Sequence, residues 1–252
     1  MALIRLISFL MFSLILIVSG CTKDNVSMAL DRAETLQDDY AESALAILDS
    51  IPISACDGNA QRARYALLKT YVKANLHRLT PADTNLINIA VDYYTKNKLA
   101  DGATWACFYK GDIIYDVEDY DGSMRYALKS LEWNEKAHDR RFQAKAYDLI
   151  AYIYSHASNY PQAISYSRKA AAIFKELGRR NNEFYSLIDT AISYSQDDTT
   201  ECKAVELLDS IKENFKDVDS TALGMLHYRY IYPLSLLGRH QEGYRHYRKA
   251  PV

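Results

Sequence analysis

A spacing of 40 residues runs through this chain and limits what it can fold into. Gly111, Ala151 and Ala191 share one column, and Ile114, Tyr154, Tyr194 and Leu234 share another. Ser50, Ala90, Ser130, Ala170, Ser210 and Ala250 form a third, and Tyr40, Tyr120, Tyr160 and His240 a fourth. Leu48-Asp49-Ser50-Ile51 returns unchanged as Leu208-Asp209-Ser210-Ile211, four periods later. Self-similarity at such a period signals stacked supersecondary units, each unable to bury its apolar face alone.

The clearest copy is 147–174. Tyr147, Ile150, Ala151 and Tyr154 lie at i, i+3, i+4 and i+7, and Ala163, Tyr166, Ser167, Ala170 and Phe174 continue the pattern after Ser158-Asn159-Tyr160-Pro161. These are two amphipathic helices joined by a tight turn, with proline in the first turn, where its missing N–H is not needed. Applied along the chain, the spacing predicts helices near 24–37, 41–51, 60–77, 81–97, 103–117 and 121–137. It predicts more from 141 to 177, then at 181–196, 201–214, from 220 past Pro233, and 241–250. Thr80 is the expected N-cap before Pro81, and Gly178 the expected C-terminal stop. Nine glycines and five prolines suit long helices better than a turn-rich β fold. The fold class expected is all-α: a right-handed α-solenoid of about six antiparallel helix pairs.

Residues 1–20 stand apart. Arg5 precedes a nearly unbroken apolar run from Leu6 to Val18, and Ser19-Gly20-Cys21 follows. The run is short for a membrane span and has the flanks of an export signal. The ending Val18-Ser19-Gly20-Cys21 resembles a bacterial lipobox. That resemblance implies cleavage before Cys21, acylation of its thiol and membrane attachment, leaving 21–252 as the repeat domain. Thr22 directly after the cysteine implies outer-membrane routing, with the periplasmic or outer face left open.

The stretch around Ala151, Tyr154, Tyr160, Ala163 and Ala170 resembles the tetratricopeptide repeat (TPR), as does Gly238 to Tyr244 with Tyr247 and Ala250. Taken with the lipobox, the chain resembles a TPR-like lipoprotein of Bacteroidetes type. The family's usual period is 34, so the likeness is to its longer-helix variants. The sixth unit ends at Ala250-Pro251-Val252 without a polar capping helix. The expectation is a last pair that frays, or a shortened form of a longer signalling regulator.

Catalytic motifs are missing. There is no G-x-S-x-G, H-E-x-x-H, Gly-rich phosphate loop or EF-hand spacing, and no cofactor or metal site is expected. Cys56, Cys107 and Cys202 form no C-x-x-C pair, and Cys107 reads as a small buried hydrophobe. A formal net charge of −2 gives no support to direct nucleic-acid binding. His240 and His246, among Arg239, Arg245, Arg248 and Lys249, read as a solvated basic helix face.

A candidate binding surface remains. In a superhelix of the TPR kind the first helix of each pair lines the concave face. The stripe beside its core stripe gives Tyr65, then Trp105, Phe108, Asp112 and Tyr115. It continues with Lys145, Asp148, Tyr152 and His156, then Tyr185, Tyr228 and Tyr232. Tyrosine, at 21 residues, is the overrepresented type. Such rings supply contact area at low entropic cost and a polar tip, and equally fill gaps between packed helices. The leading expectation is a lipid-anchored scaffold holding a protein or peptide in this groove. A glycan-capturing component of an outer-membrane uptake system, or the sensor part of a signalling regulator, are the other readings.

Overall fold

The computed structural model describes residues 25–197 and 199–250; the leader and Cys21 lie outside them. Among the described residues the regular structure is helical, with no strand. Contacts divide the chain into two units, 25–119 and 120–250 among the described residues.

The first unit holds α1 (25–36), α2 (Ala41–Asp49), α3 (Gly58–Asn75), α4 (Thr84–Lys96) and α5 (Ala100–Tyr115), with 3-10 turns at Ile53–Ala55 and Pro81–Asp83. The second holds α6 (Tyr120–Ala137), α7 (Arg140–His156), α8 (Tyr160–Glu176), α9 (Arg180–Ser195), α10 (Glu201–Asn214), α11 (Ser220–Leu236) and α12 (His240–Tyr247). From α2 to α5, and from α6 to α12, each helix packs on the next. Alternate helices also meet, α3 on α5 and α9 on α11. Odd and even helices therefore form separate layers within a unit.

The turns explain the period. Lys98, Glu118, His138, Ser158 and Gly178 take left-handed φ values between 55° and 65°, each twenty residues after the last. His77 and Gly238 do the same at other helix ends. After most of these residues an N–H reaches back five positions to a carbonyl of the final helical turn: Leu99 to Tyr94 at 3.0 Å, Asn159 to Tyr154 at 2.8 Å and Arg179 to Phe174 at 2.8 Å. This is the Schellman closure, which satisfies carbonyls the helix leaves orphaned. After His138 the Asn134 side chain substitutes, accepting from Asp139 N at 2.9 Å. Helix starts are held too. Asp139, Asn159 and Asp219 accept from the third following N–H, at 3.1, 3.4 and 2.8 Å. Thr80 and Asp83 close a capping box, and Lys73 pairs with the same carboxylate at 2.5 Å.

The repeat columns pack largely as their spacing requires. Gly111, Ala151 and Ala191 are buried, as are Ala90, Ser130 and Ala170. Ser50 and Ser210 are exposed and leave that last column. Their shared tetrapeptide packs through Leu48, Ile51, Leu208 and Ile211 instead. Close approach replaces bulk at Gly102: a Cβ there would meet the Tyr94 ring at 2.2 Å. In the second unit, Phe184, Ile188, Leu208, Phe215, Leu226 and Leu234 form a core joining α9 to α11. Helix α11 runs through Pro233, which has no N–H to offer the Arg229 carbonyl.

Candidate binding face of the second unit

The odd helices α7, α9 and α11 bring together most of the expected surface residues of the second unit. Tyr152, Tyr185, Tyr228 and Tyr232 are exposed by 38, 42, 56 and 49%. That is far more than a tyrosine filling space between packed helices would show. His156 is also exposed and stacks on Tyr120, with ring centroids 4.8 Å apart. Lys145 is half-buried, its ammonium 5.6 Å from the Phe142 ring.

Polar groups sit between these rings. The Ser186 hydroxyl donates to both oxygens of Asp148, at 2.9 and 3.0 Å. The Tyr152 hydroxyl donates to Asp189 Oδ2 at 2.7 Å. Both bonds tie α7 to α9. Burial pushes the Asp148 carboxyl well above its ordinary range, and the Asp189 charge adds to this, against the Ser186 bond and Lys145. Burial likewise pushes Asp189 up to about 6, opposed by the Tyr152 bond and the Arg229 charge. Neither carboxylate has a salt bridge among the described residues. A cleft of about 460 Å³ opens between α9 and α11, lined by Ile192, Ser195, Gln196, Tyr228, Arg229 and Tyr232 among others. Another of about 500 Å³ lies among α6, α7 and α8. Its rings are already engaged: Tyr166 carries Lys169 at 4.5 Å and stacks on Tyr154.

The first unit places its candidates differently. Tyr65 and Phe108 are only 4 and 6% exposed. Both are core residues, and a ring buried between helices has no face for a partner, which corrects the expectation for these two. The Tyr65 hydroxyl oxygen accepts from the Lys69 ammonium at 2.9 Å. Trp105 is half-buried and stacks on Tyr71 at 5.4 Å. Asp112 and Tyr115 are half-buried on α5. The basic helix face is solvated at Arg239, His240, Arg245, Arg248 and Lys249, and is corrected at His246. His246 is 9% exposed, packs on Tyr230 at 3.9 Å, and places its Nδ1 3.1 Å from that of His227.

Ser186, Asp189 and Arg229 escaped the sequence reading. Leu149, Asp189 and Arg229 are 40 residues apart, and Leu149 is buried. Opposite charges in a column whose two preceding members, Tyr109 and Leu149, are core residues were the available signal.

No protein-family model matches the chain, and no curated protein sequence matches it. Solved structures do. A Rap protein complexed with Competence and Sporulation Factor aligns with a TM-score of 0.67 at 13% identity, covering 89% of this chain and 64% of that one. A signal-transduction ATPase with numerous domains from Pyrococcus horikoshii, with a tetratricopeptide repeat sensor, aligns at 0.67 and 14% identity, covering 89 and 36%. A kinesin light chain-type protein of nearly identical TPR-like repeats from Podosopora anserina aligns at 0.61 and 12% identity, covering 77 and 94%. The chain spans less than two thirds of the first two. These likenesses show the fold: an all-α, TPR-like solenoid of consecutive helix pairs.

Proposed function

We propose that this protein binds an extended protein or peptide segment on the α7–α9–α11 face, and acts by binding rather than catalysis. The observation that carries the reading is the row of half-exposed tyrosines over a hydrogen-bonded polar floor. Aromatic rings give area and the carboxylates and Arg229 give register, the combination that sets affinity and orientation at interfaces. The Rap neighbour, complexed with Competence and Sporulation Factor, supports a ligand-holding use of this fold. The lipobox ending at Cys21 adds the address: an outer-membrane lipoprotein presenting the repeats in the cell envelope. Cys21→Ser is expected to release the protein into the soluble fraction.

Affinity capture from the native envelope tests the surface. Tyr185→Ala combined with Tyr232→Ala is expected to lose a co-purifying partner at unchanged helicity and thermal stability. Undiminished capture, or a collapse of helicity, contradicts it. A second reading, the sensor part of a signalling protein, draws support from the neighbour with a tetratricopeptide repeat sensor. It predicts that the captured partner belongs to a regulatory complex.

A further inference from the structure

Arg229 is the unusual group on this face. Its Nε is shut off from solvent and has no hydrogen-bond partner among the described residues. Its guanidinium carbon lies 5.6 Å from the centroid of the Tyr228 ring. Asp189, whose carboxyl feels the Arg229 charge, takes its hydrogen bond from Tyr152. A buried donor left unmade is costly, and a charged one more so. Such a donor takes its partner from outside the described residues: a water, an ion or a ligand.

The surroundings indicate what would satisfy it. Arg229 lines the cleft of about 460 Å³ with Ser195, Gln196, Tyr228, Tyr232 and Ser235, and the lining contains no acidic residue. The side chains there present one cation and several hydroxyl or amide donors. Guanidinium meets carboxylate through paired N–H donors in a fork, with strength and direction. The Arg229 side chain is half-buried in the cleft wall, where an acid on a flexible stem meets it from the open side. A terminal carboxylate would have to draw main chain into the cleft.

We propose that Arg229 receives the side-chain carboxylate of a glutamate on the bound segment, with Tyr228 and Tyr232 flanking its stem. The inference rests on the peptide-binding reading above and names the charge that the partner brings. On the protein side, Arg229 and Asp189 then occupy one column in successive odd helices with opposite sign.

The test follows the arginine Nε–H resonances of the full-length chain during titration with N-acetylglutamic acid amide. N-acetylglutamine amide and N-acetylalanine serve as the neutral and main-chain-carboxylate comparisons. The Arg229 signal, assigned by its loss in Arg229→Gln, is expected to shift saturably, with dissociation constants in roughly the millimolar range for one such contact. The glutamine probe should bind about ten-fold more weakly or worse. The proposal is overturned by no saturable shift, by an equal shift with the neutral probe, or by tighter binding of N-acetylalanine. Arginines shifting together, as a general salt effect, also overturns it. The two readings separate in the capture experiment. Partner binding lost in the double tyrosine variant but unchanged in Arg229→Gln keeps the binding face and removes the glutamate.

Discussion

At the scale of single residues, Asp189 makes the tyrosine face sensitive to pH. Its carboxyl is pushed up to about 6 by burial, while an unfolded aspartate titrates near 4. The folded state therefore holds the proton more tightly. This contribution to stability is fully present below the unfolded pKa and is lost as pH rises through about 6. Asp189→Asn keeps an acceptor for the Tyr152 hydroxyl and removes the titration. Relative to the parent, it is expected to gain about 1–3 kcal/mol of stability between pH 4 and pH 7. Denaturant unfolding across that range measures the difference, and a flat difference contradicts the burial of this charge. Much of the face was legible beforehand, because Tyr152, Tyr185, Tyr228 and Tyr232 follow the helical stripe. Tyr65 and Phe108 follow the same stripe and are buried. The stripe reports which way a side chain points along its own helix. What the neighbouring helix lays over it depends on packing between helices, which periodicity on one helix does not carry.

At the scale of elements, the helix-plus-turn of twenty residues is the unit beneath the period of 40. The sequence showed only the longer period because the two helices of a pair carry different packing residues. Left-handed turn positions were visible only where glycine marks them, at Gly178 and Gly238. Lys98, Glu118, His138 and Ser158 hold the same conformation without it. An L-residue there carries a penalty of about 1–2 kcal/mol, from which glycine is exempt. After its own greater entropy loss, Ser158→Gly is expected to stabilise the protein by about 0.5–1 kcal/mol. Thermal unfolding checks this, and Ser158→Val should move the other way. A rise for both substitutions would contradict a left-handed Ser158. The exposed Ser50 and Ser210 show a further limit. Identical tetrapeptides kept the Leu and Ile burial while the serine left the buried column, so a column shared in sequence is not always shared in packing.

At the scale of the whole molecule, helix content and pairing followed from the spacing of small and aromatic residues, and the TPR-like architecture from the resemblance around Ala151, Tyr154, Tyr160, Ala163 and Ala170. The division after Asp119 did not, since the repeat columns pass through it without a break in type. The central claim is that the odd-helix face of the second unit holds a partner chain. Hydrogen exchange of the full-length chain, with and without its captured partner, tests it most directly. The account predicts added protection in the exposed turns of α7, α9 and α11, around Tyr152, Tyr185 and Tyr228 to Tyr232, with α8 and α10 unchanged. Protection concentrated on α8 and α10 instead would contradict it.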